Sequence, residues 1–289
     1  MHDHLIRATA PGVRAFAAIT TSLVEEARRR HNCFPVATAA LGRTMTGALL
    51  MAANLKTAES LTIRISGDGP LGEIVADASP AGTVRGYVKN AFVDLPLHNG
   101  KWAVGQAVGK GHIYVTRFAG LKQPFTGSAE LVSGEIAEDI THYLTVSEQT
   151  PSSVALGVLI GQDATVAAAG GFFIQALPGA EEEVLVQVED NLRQLPPVSQ
   201  MVQDGQDAAG ILQKVFAGLA LTVYDPLNLQ FHCHCSRERV ESMLASLGAS
   251  EIQEMAAEGQ AEVCCHFCGE KYLFTANELT QILNHIIMK

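Results

Sequence analysis

FHCHCSRERV, residues 231–240, places Cys233 and Cys235 one residue apart, and VCCHFCGEKY, residues 263–272, places Cys265 and Cys268 two residues apart with Cys264 beside them. Five of the six cysteines therefore lie beyond residue 232. A C-x-C and a C-x-x-C in one chain suit four thiolates around a tetrahedral Zn²⁺ at about 2.3 Å, each pair closing a short loop that fixes half of the site. Gly269 directly after Cys268 fits such a knuckle, where the turn around a metal tends to require a positive φ. Cys264 would leave a three-residue gap to Cys268, so it is expected outside the ligand set. His232, His234 and His266 could replace a thiolate, but four cysteines already satisfy the metal. Cys33, in RRHNCFP, reads as a small buried apolar side chain.

No other constellation carries chemistry. GDGPLG, residues 67–72, has the spacing of a phosphate-binding glycine loop, yet that loop requires a helix to begin inside it. Here EIVADA follows, so a hairpin connection is expected. Ser152 and Ser153 lack the flanking glycines of a nucleophile elbow and read as a turn before a strand. No set of general acid, base and nucleophile stands out, so an enzyme is not expected.

The elements that must position the thiols sit in a chain of 289 residues, enough for one large domain or two unequal ones. Only 17% of residues are charged, 47% are hydrophobic, and mean hydropathy is +0.16. The net charge of −10 opposes nonspecific binding to a phosphate backbone, which depends on Lys and Arg displacing counterions. The N-terminal residues lack a basic segment followed by an apolar run, so a secretory signal is not expected and a cytosolic address is. In that reducing compartment, clustered cysteines are metal ligands or redox-active thiols more often than permanent disulfides. TMTGALLMAANL, residues 44–55, is too short to span a bilayer and reads as a buried helix.

Three regions follow along an α+β chain. Residues 1–177 combine a helix over 35–56, with Gly42 and Gly47 permitting close packing, and strands at LTIRIS, EIVADA, TVRGYV, HIYVTRF, SAELVSG, VALGVLIG and TVAAAGGFFIQAL. Their close spacing favours antiparallel pairing over a wound parallel sheet. Residues 178–228 carry two helical patterns, 181–195 and 207–219, separated by Pro196 and Pro197. This connector holds eight acidic against two basic side chains, a net −6, so its order should depend on packing against neighbours. Residues 229–289 carry amphipathic helices at 236–248 and 275–289 with the second cysteine cluster between them, the second helix with Thr275 and Glu278 in capping-box spacing. A module of about sixty residues has a small core, and structural zinc would decide whether it folds.

RRH followed by ATAALGRTMTGALLMA, GDGPLGEIVADA with VRGYV, SGEIAEDITHYLTVSEQTPSSVALGVL, AAGGFFIQALPGA, FHCHCS and CHFCGEKYLF together resemble the redox-regulated heat-shock chaperonin family of bacteria, the thirty-three-kilodalton ATP-independent holdases. The resemblance covers nearly the whole chain. It implies that Cys233, Cys235, Cys265 and Cys268 serve as zinc ligands and redox sensors in a zinc-bound, largely inactive reduced monomer. Oxidant would form two local disulfides, Cys233 with Cys235 and Cys265 with Cys268, release zinc, and unfold the C-terminal region and linker. The result would be a dimer that holds unfolded proteins. Cys264 is an addition to the simplest family pattern and leaves the partner of Cys265 open.

An inducible patch would reconcile client binding with the small exposed apolar area of a soluble monomer. Val184, Val186, Leu192, Ile211, Val215 and Phe216 are candidates, with permanent core positions the equal alternative for each. Other classes make distinct demands. An N-terminal enzyme with structural zinc would act regardless of thiol state. A zinc ribbon on nucleic acid would need more cations than Lys271, Arg237 and Arg239. A thiol-disulfide exchange enzyme using Cys265 and Cys268 would need neither zinc nor Cys233 and Cys235.

Overall fold

The computed structural model describes residues 2–98, 100–119 and 124–287. The chain divides into two compact units, Met1–His232 and Cys233–Lys289.

In the first unit, β1 (His4–Ala10) and β2 (Val13–Ile19) form a hairpin over Pro11 and Gly12, the glycine supplying φ +67°. The Asp3 carboxylate accepts from Ser22 N and Leu23 N at 3.1 and 2.6 Å and so caps α1 (Thr21–His31), whose last turn carries Arg28, Arg29, Arg30 and His31 against the negative end of the helix. Next comes α2 (Pro35–Ala52), opened by proline in the first turn, where its missing N–H is not needed. Sixteen of its eighteen residues are buried, as a helix apolar on all sides demands. Its two glycines let neighbours close in: a Cβ on Gly42 would lie 2.6 Å from Val24 Cγ1, and one on Gly47 would lie 2.5 Å from Ile140 Cδ1.

One sheet against α2 comes from β3 (Ser60–Gly67), β4 (Glu73–Ala78) and β5 (Thr83–Val88). In β3 the alternation holds, with Leu61, Ile63 and Ile65 fully buried. After the small hairpin of β6 (Leu97–His98) and β7 (Lys101–Trp102) and the short α3 (Val104–Val108), β8 (Gly111–Phe118) and β9 (Phe125–Glu130) extend this sheet in the order β5-β4-β3-β8-β9. β9 stops at Glu130, short of the SAELVSG strand expected. The N–H groups of Val132, Ser133 and Gly134 go instead to one oxygen of the buried Asp139 carboxylate, and Ile136 N to the other. These bonds lead into α4 (Ala137–Val146).

β10 (Ser152–Ile160) and β11 (Val166–Ala176) join the first hairpin in a sheet ordered β10-β11-β2-β1, so α2 lies between two antiparallel sheets. The outer face of this second sheet is covered by α5 (Glu182–Gln194), α6 (Val198–Gln203) and α7 (Ala208–Val215). Val184, Val188, Val198, Met201, Ile211, Val215 and Phe216 pack there against Ile6, Val13, Ile19, Phe172 and Ile174. The acidic segment is thus amphipathic, and Pro197 precedes a separate helix, α6, that the sequence pattern did not suggest. A strap of two-residue strands follows. β12 (Thr222–Val223) and β13 (Leu227–Asn228) pair with β1, and β14 (Gln230–Phe231) pairs in parallel with β5.

The second unit contains α8 (Arg237–Ala245), α9 (Ala249–Ala257), the hairpin of β15 (Gln260–Cys264) and β16 (Lys271–Thr275), and α10 (Ala276–Ile287). Only Val240, Leu244, Ile252, Phe274 and Leu279 form its buried centre among the described residues. The Thr275–Glu278 capping box is present: Thr275 N donates to Glu278 Oε2 at 2.8 Å and Glu278 N to Thr275 Oγ1 at 3.4 Å. Among the described residues no helix is long and apolar enough to cross a membrane.

Candidate metal centre

Two kinds of local structure bring four thiols together. Cys233 and Cys235 lie in the extended run before α8, and Ser236 caps that helix by accepting from Arg239 N at 3.3 Å. Cys235 therefore directly precedes the N-cap of α8. Cys265 and Cys268 lie in the turn between β15 and β16, where the Cys265 carbonyl accepts from Cys268 N at 3.3 Å and Gly269 N at 2.8 Å. Gly269 has φ +72°, as the sequence pattern requires of a knuckle.

The Sγ atoms of Cys233 and Cys265 are 3.7 Å apart, those of Cys235 and Cys268 are 3.3 Å apart, and all four lie within 4.8 Å of one another. A tetrahedron with metal–sulfur bonds of about 2.3 Å has edges of about 3.8 Å, inside that spread. None of the six cysteines is joined in a disulfide here. Burial pushes the Cys265 and Cys268 thiols up, and neighbouring sulfurs, Cys233 against both and Cys235 against Cys268, push further. Both shifts oppose ionisation of Cys265 and Cys268, whereas a dication beside them would reverse that sense. The four cysteines are positioned to hold a metal ion with no position left for a substrate.

β15 explains why Cys264 is not among them. It is the exposed last residue of an alternating strand, opposite Lys271, and its Sγ faces the Gly269 carbonyl at 3.6 Å. Among the described residues the cluster that could hold a metal ion consists of the four cysteines, without His232, His234 or His266. Cys33 is 5% exposed beneath α1, as its apolar setting suggests. One contributor went unread in the sequence: Tyr272 Oη donates to Cys235 Sγ at 3.2 Å, and that bond pushes the phenol up. Its partner is 37 residues away, so only the strand register reveals it.

The remaining candidates resolve as structure. GDGPLG is the β3–β4 connection, where Gly69 N and Leu71 N donate to Val108 O and Ala107 O at 2.9 and 3.0 Å rather than facing a phosphate. Ser152 and Ser153 open β10, with Ser152 Oγ donating to Thr150 O. Of the proposed client-contact residues, Val184, Ile211, Val215 and Phe216 are buried, Leu192 is partly buried, and Val186 is exposed.

Comparisons with known proteins agree with this arrangement. The family described as "Hsp33 protein" matches residues 3–275. A "33 kDa chaperonin" of Desulforamulus reducens is 54% identical over 290 residues, covering 99% of both chains. That of Bacillus subtilis is 48% identical, covering 96% of this chain and 97% of its own. The crystal structure of the 33 kDa chaperonin of Thermotoga maritima superposes with a TM-score of 0.94 at 37% identity, covering all of both chains. With the fold, the four-thiol cluster and these relatives in agreement over nearly its whole length, the chain belongs to the Hsp33 family of chaperones.

Proposed function

We propose that the protein is a redox-regulated, ATP-independent holdase of the cytosol, held inactive by zinc at Cys233, Cys235, Cys265 and Cys268. The four-thiol cluster carries this reading. Bound zinc would supply a purely structural cross-link, and in a unit whose apolar centre has, among its described residues, five buried side chains such a link decides folding. The residues contribute the switch. An oxidant such as hypochlorite or peroxide takes two electrons from each pair of thiolates and two protons from solvent, forming Cys233–Cys235 and Cys265–Cys268 disulfides and leaving chloride and water, or two waters. Disulfide sulfurs are no longer anionic donors, so the ligands and the order of residues 229–289 are lost together.

In this reading residues 1–177 are the stable body, 178–228 the cover and 229–289 the sensor. Cys233 follows β14 by only one residue, and His232 N donates to Val84 O at 2.9 Å. Disorder beginning at Cys233 therefore starts at the end of a strap held by two-residue strands. Its release frees α5–α7 to leave the sheet, uncovering Phe172, Ile174 and Ile19 for unfolded client chains and for a homodimer.

The test is light scattering from a thermally unfolding client without nucleotide, using the zinc-loaded reduced protein and the same protein after hypochlorite. Suppression only after oxidation, in step with zinc release and a doubled mass, is the expected result. Equal activity in both states would make the metal merely structural.

A further inference from the structure

We infer that the Tyr272 hydroxyl is a positioning group for the metal centre: its hydrogen bond to Cys235 Sγ holds that sulfur as an oriented, weakened nucleophile and sets how readily the site releases metal and reacts with oxidant. The inference rests on the metal reading above and adds a residue to it. β16 alternates, with Lys271 and Leu273 exposed and Phe274 fully buried. Tyr272 thus shares a strand face with Phe274 and pairs across the hairpin with Val263, and all three belong to the apolar cluster of this unit. The ring is fixed by packing, while the hydroxyl reaches Cys235 Sγ at 3.2 Å. Phenylalanine would fill the same space, so the oxygen answers to the sulfur rather than to the core.

A hydroxyl donor to a thiolate draws charge away from the sulfur. The sulfur remains a metal ligand but becomes less reactive toward an electrophile, and its lone pairs are aimed. Cys235 also faces Cys268 Sγ at 3.3 Å, so a shift of this sulfur would disturb both halves of the site. Outer hydrogen bonds of this kind contribute about 10- to 100-fold to metal affinity.

The experiment uses the full-length chain and Tyr272→Phe, with Leu273→Ala, on the opposite face of the strand, as control. Co²⁺ is the probe, since sulfur-to-cobalt charge-transfer bands report the electron density on the thiolates. Wild type is expected to show four-thiolate tetrahedral bands. In Tyr272→Phe those bands should shift to lower energy, and both metal loss to a chelator and alkylation of Cys235 should quicken about tenfold. Leu273→Ala should match wild type. Wild-type protein loaded with ¹¹³Cd gives a variant-free reading, a scalar coupling between the Tyr272 hydroxyl proton and the metal. Wild type without thiolate–cobalt bands would overturn the metal reading itself. Wild type with those bands, but with Tyr272→Phe unchanged in spectrum and rates or the cadmium coupling absent, would overturn the role of Tyr272 alone.

Discussion

Cys33 and Cys268 are both buried, at 5% and 3% exposure, and burial pushes both thiols up, but only Cys268 lies among other sulfurs. Burial pushes the Cys33 thiol up from 9.0 to about 12, and nearby Arg28 only partly offsets that. Cys33 should therefore resist iodoacetamide at pH 8 in metal-stripped protein while the cysteines beyond residue 232 are labelled, as mass spectrometry would show. Its raised value also sets a sign. The native state keeps the proton that the unfolded state loses above pH 9, so this thiol lowers stability as pH rises from 9.0 toward about 12. Cys33→Ala should flatten that alkaline decline in urea titrations. At the metal centre, Cys233→Ser should weaken zinc retention more than loss of an outer hydrogen bond does, beyond about 100-fold, whereas Cys264→Ser should leave one zinc per chain. A metal-release assay separates the two. The four-cysteine cluster was legible in the sequence because each pair closes a short local loop. The Tyr272 contact was not, since it depends on how a hairpin and a distant loop meet.

Among the elements, legibility followed local pattern. Buried α2 and alternating β3 could be read directly, as could the proline break after α5 and the capping box at α10. The hairpin of β1 and β2 could not, because Ala8, Ala15 and Ala17 have little strand preference and are buried by what packs on them. α9 and the β15–β16 hairpin were likewise hidden, their faces set by a five-residue centre rather than by a long repeat. The cover formed by α5–α7 supplies the functional test at this scale. Phe216 is 2% exposed in it, so Phe216→Ala should weaken the cover by about 3–5 kcal/mol. The expected result is binding of an apolar dye, and suppression of client aggregation, in the reduced zinc-loaded protein. Gly12→Val should act likewise from a different site, since Gly12 has φ +67° and its added Cβ would lie 2.5 Å from Ala180 Cα just before α5. Dye binding no greater than wild type in both variants would show that the cover does not hide the client surface.

At the scale of the whole molecule, the two units differ in what holds them. The first has two extensive cores around two sheets, the second, among its described residues, a cluster of five buried apolar side chains and four cysteines positioned to hold a metal ion. Chelation should therefore expose residues beyond 232 to protease before any cut within 1–177, with strand signal in circular dichroism retained. The net −6 on residues 178–228 adds a salt dependence. Raising ionic strength from about 0.01 M to about 1 M shortens the Debye length from about 30 to about 3 Å and relieves that self-repulsion. Oxidant-driven dye binding should then slow, as stopped-flow fluorescence would record.

The strap of β12, β13 and β14 has one more consequence. β1 and β5 are each next to last in a sheet of the first unit, and among the described residues these two-residue strands are their outer partners. A strap that lets go bares two rows of backbone N–H and C=O groups in the same step as the apolar face. An extended client segment could then be gripped through its main chain, independent of its side chains, by adding itself as the next strand.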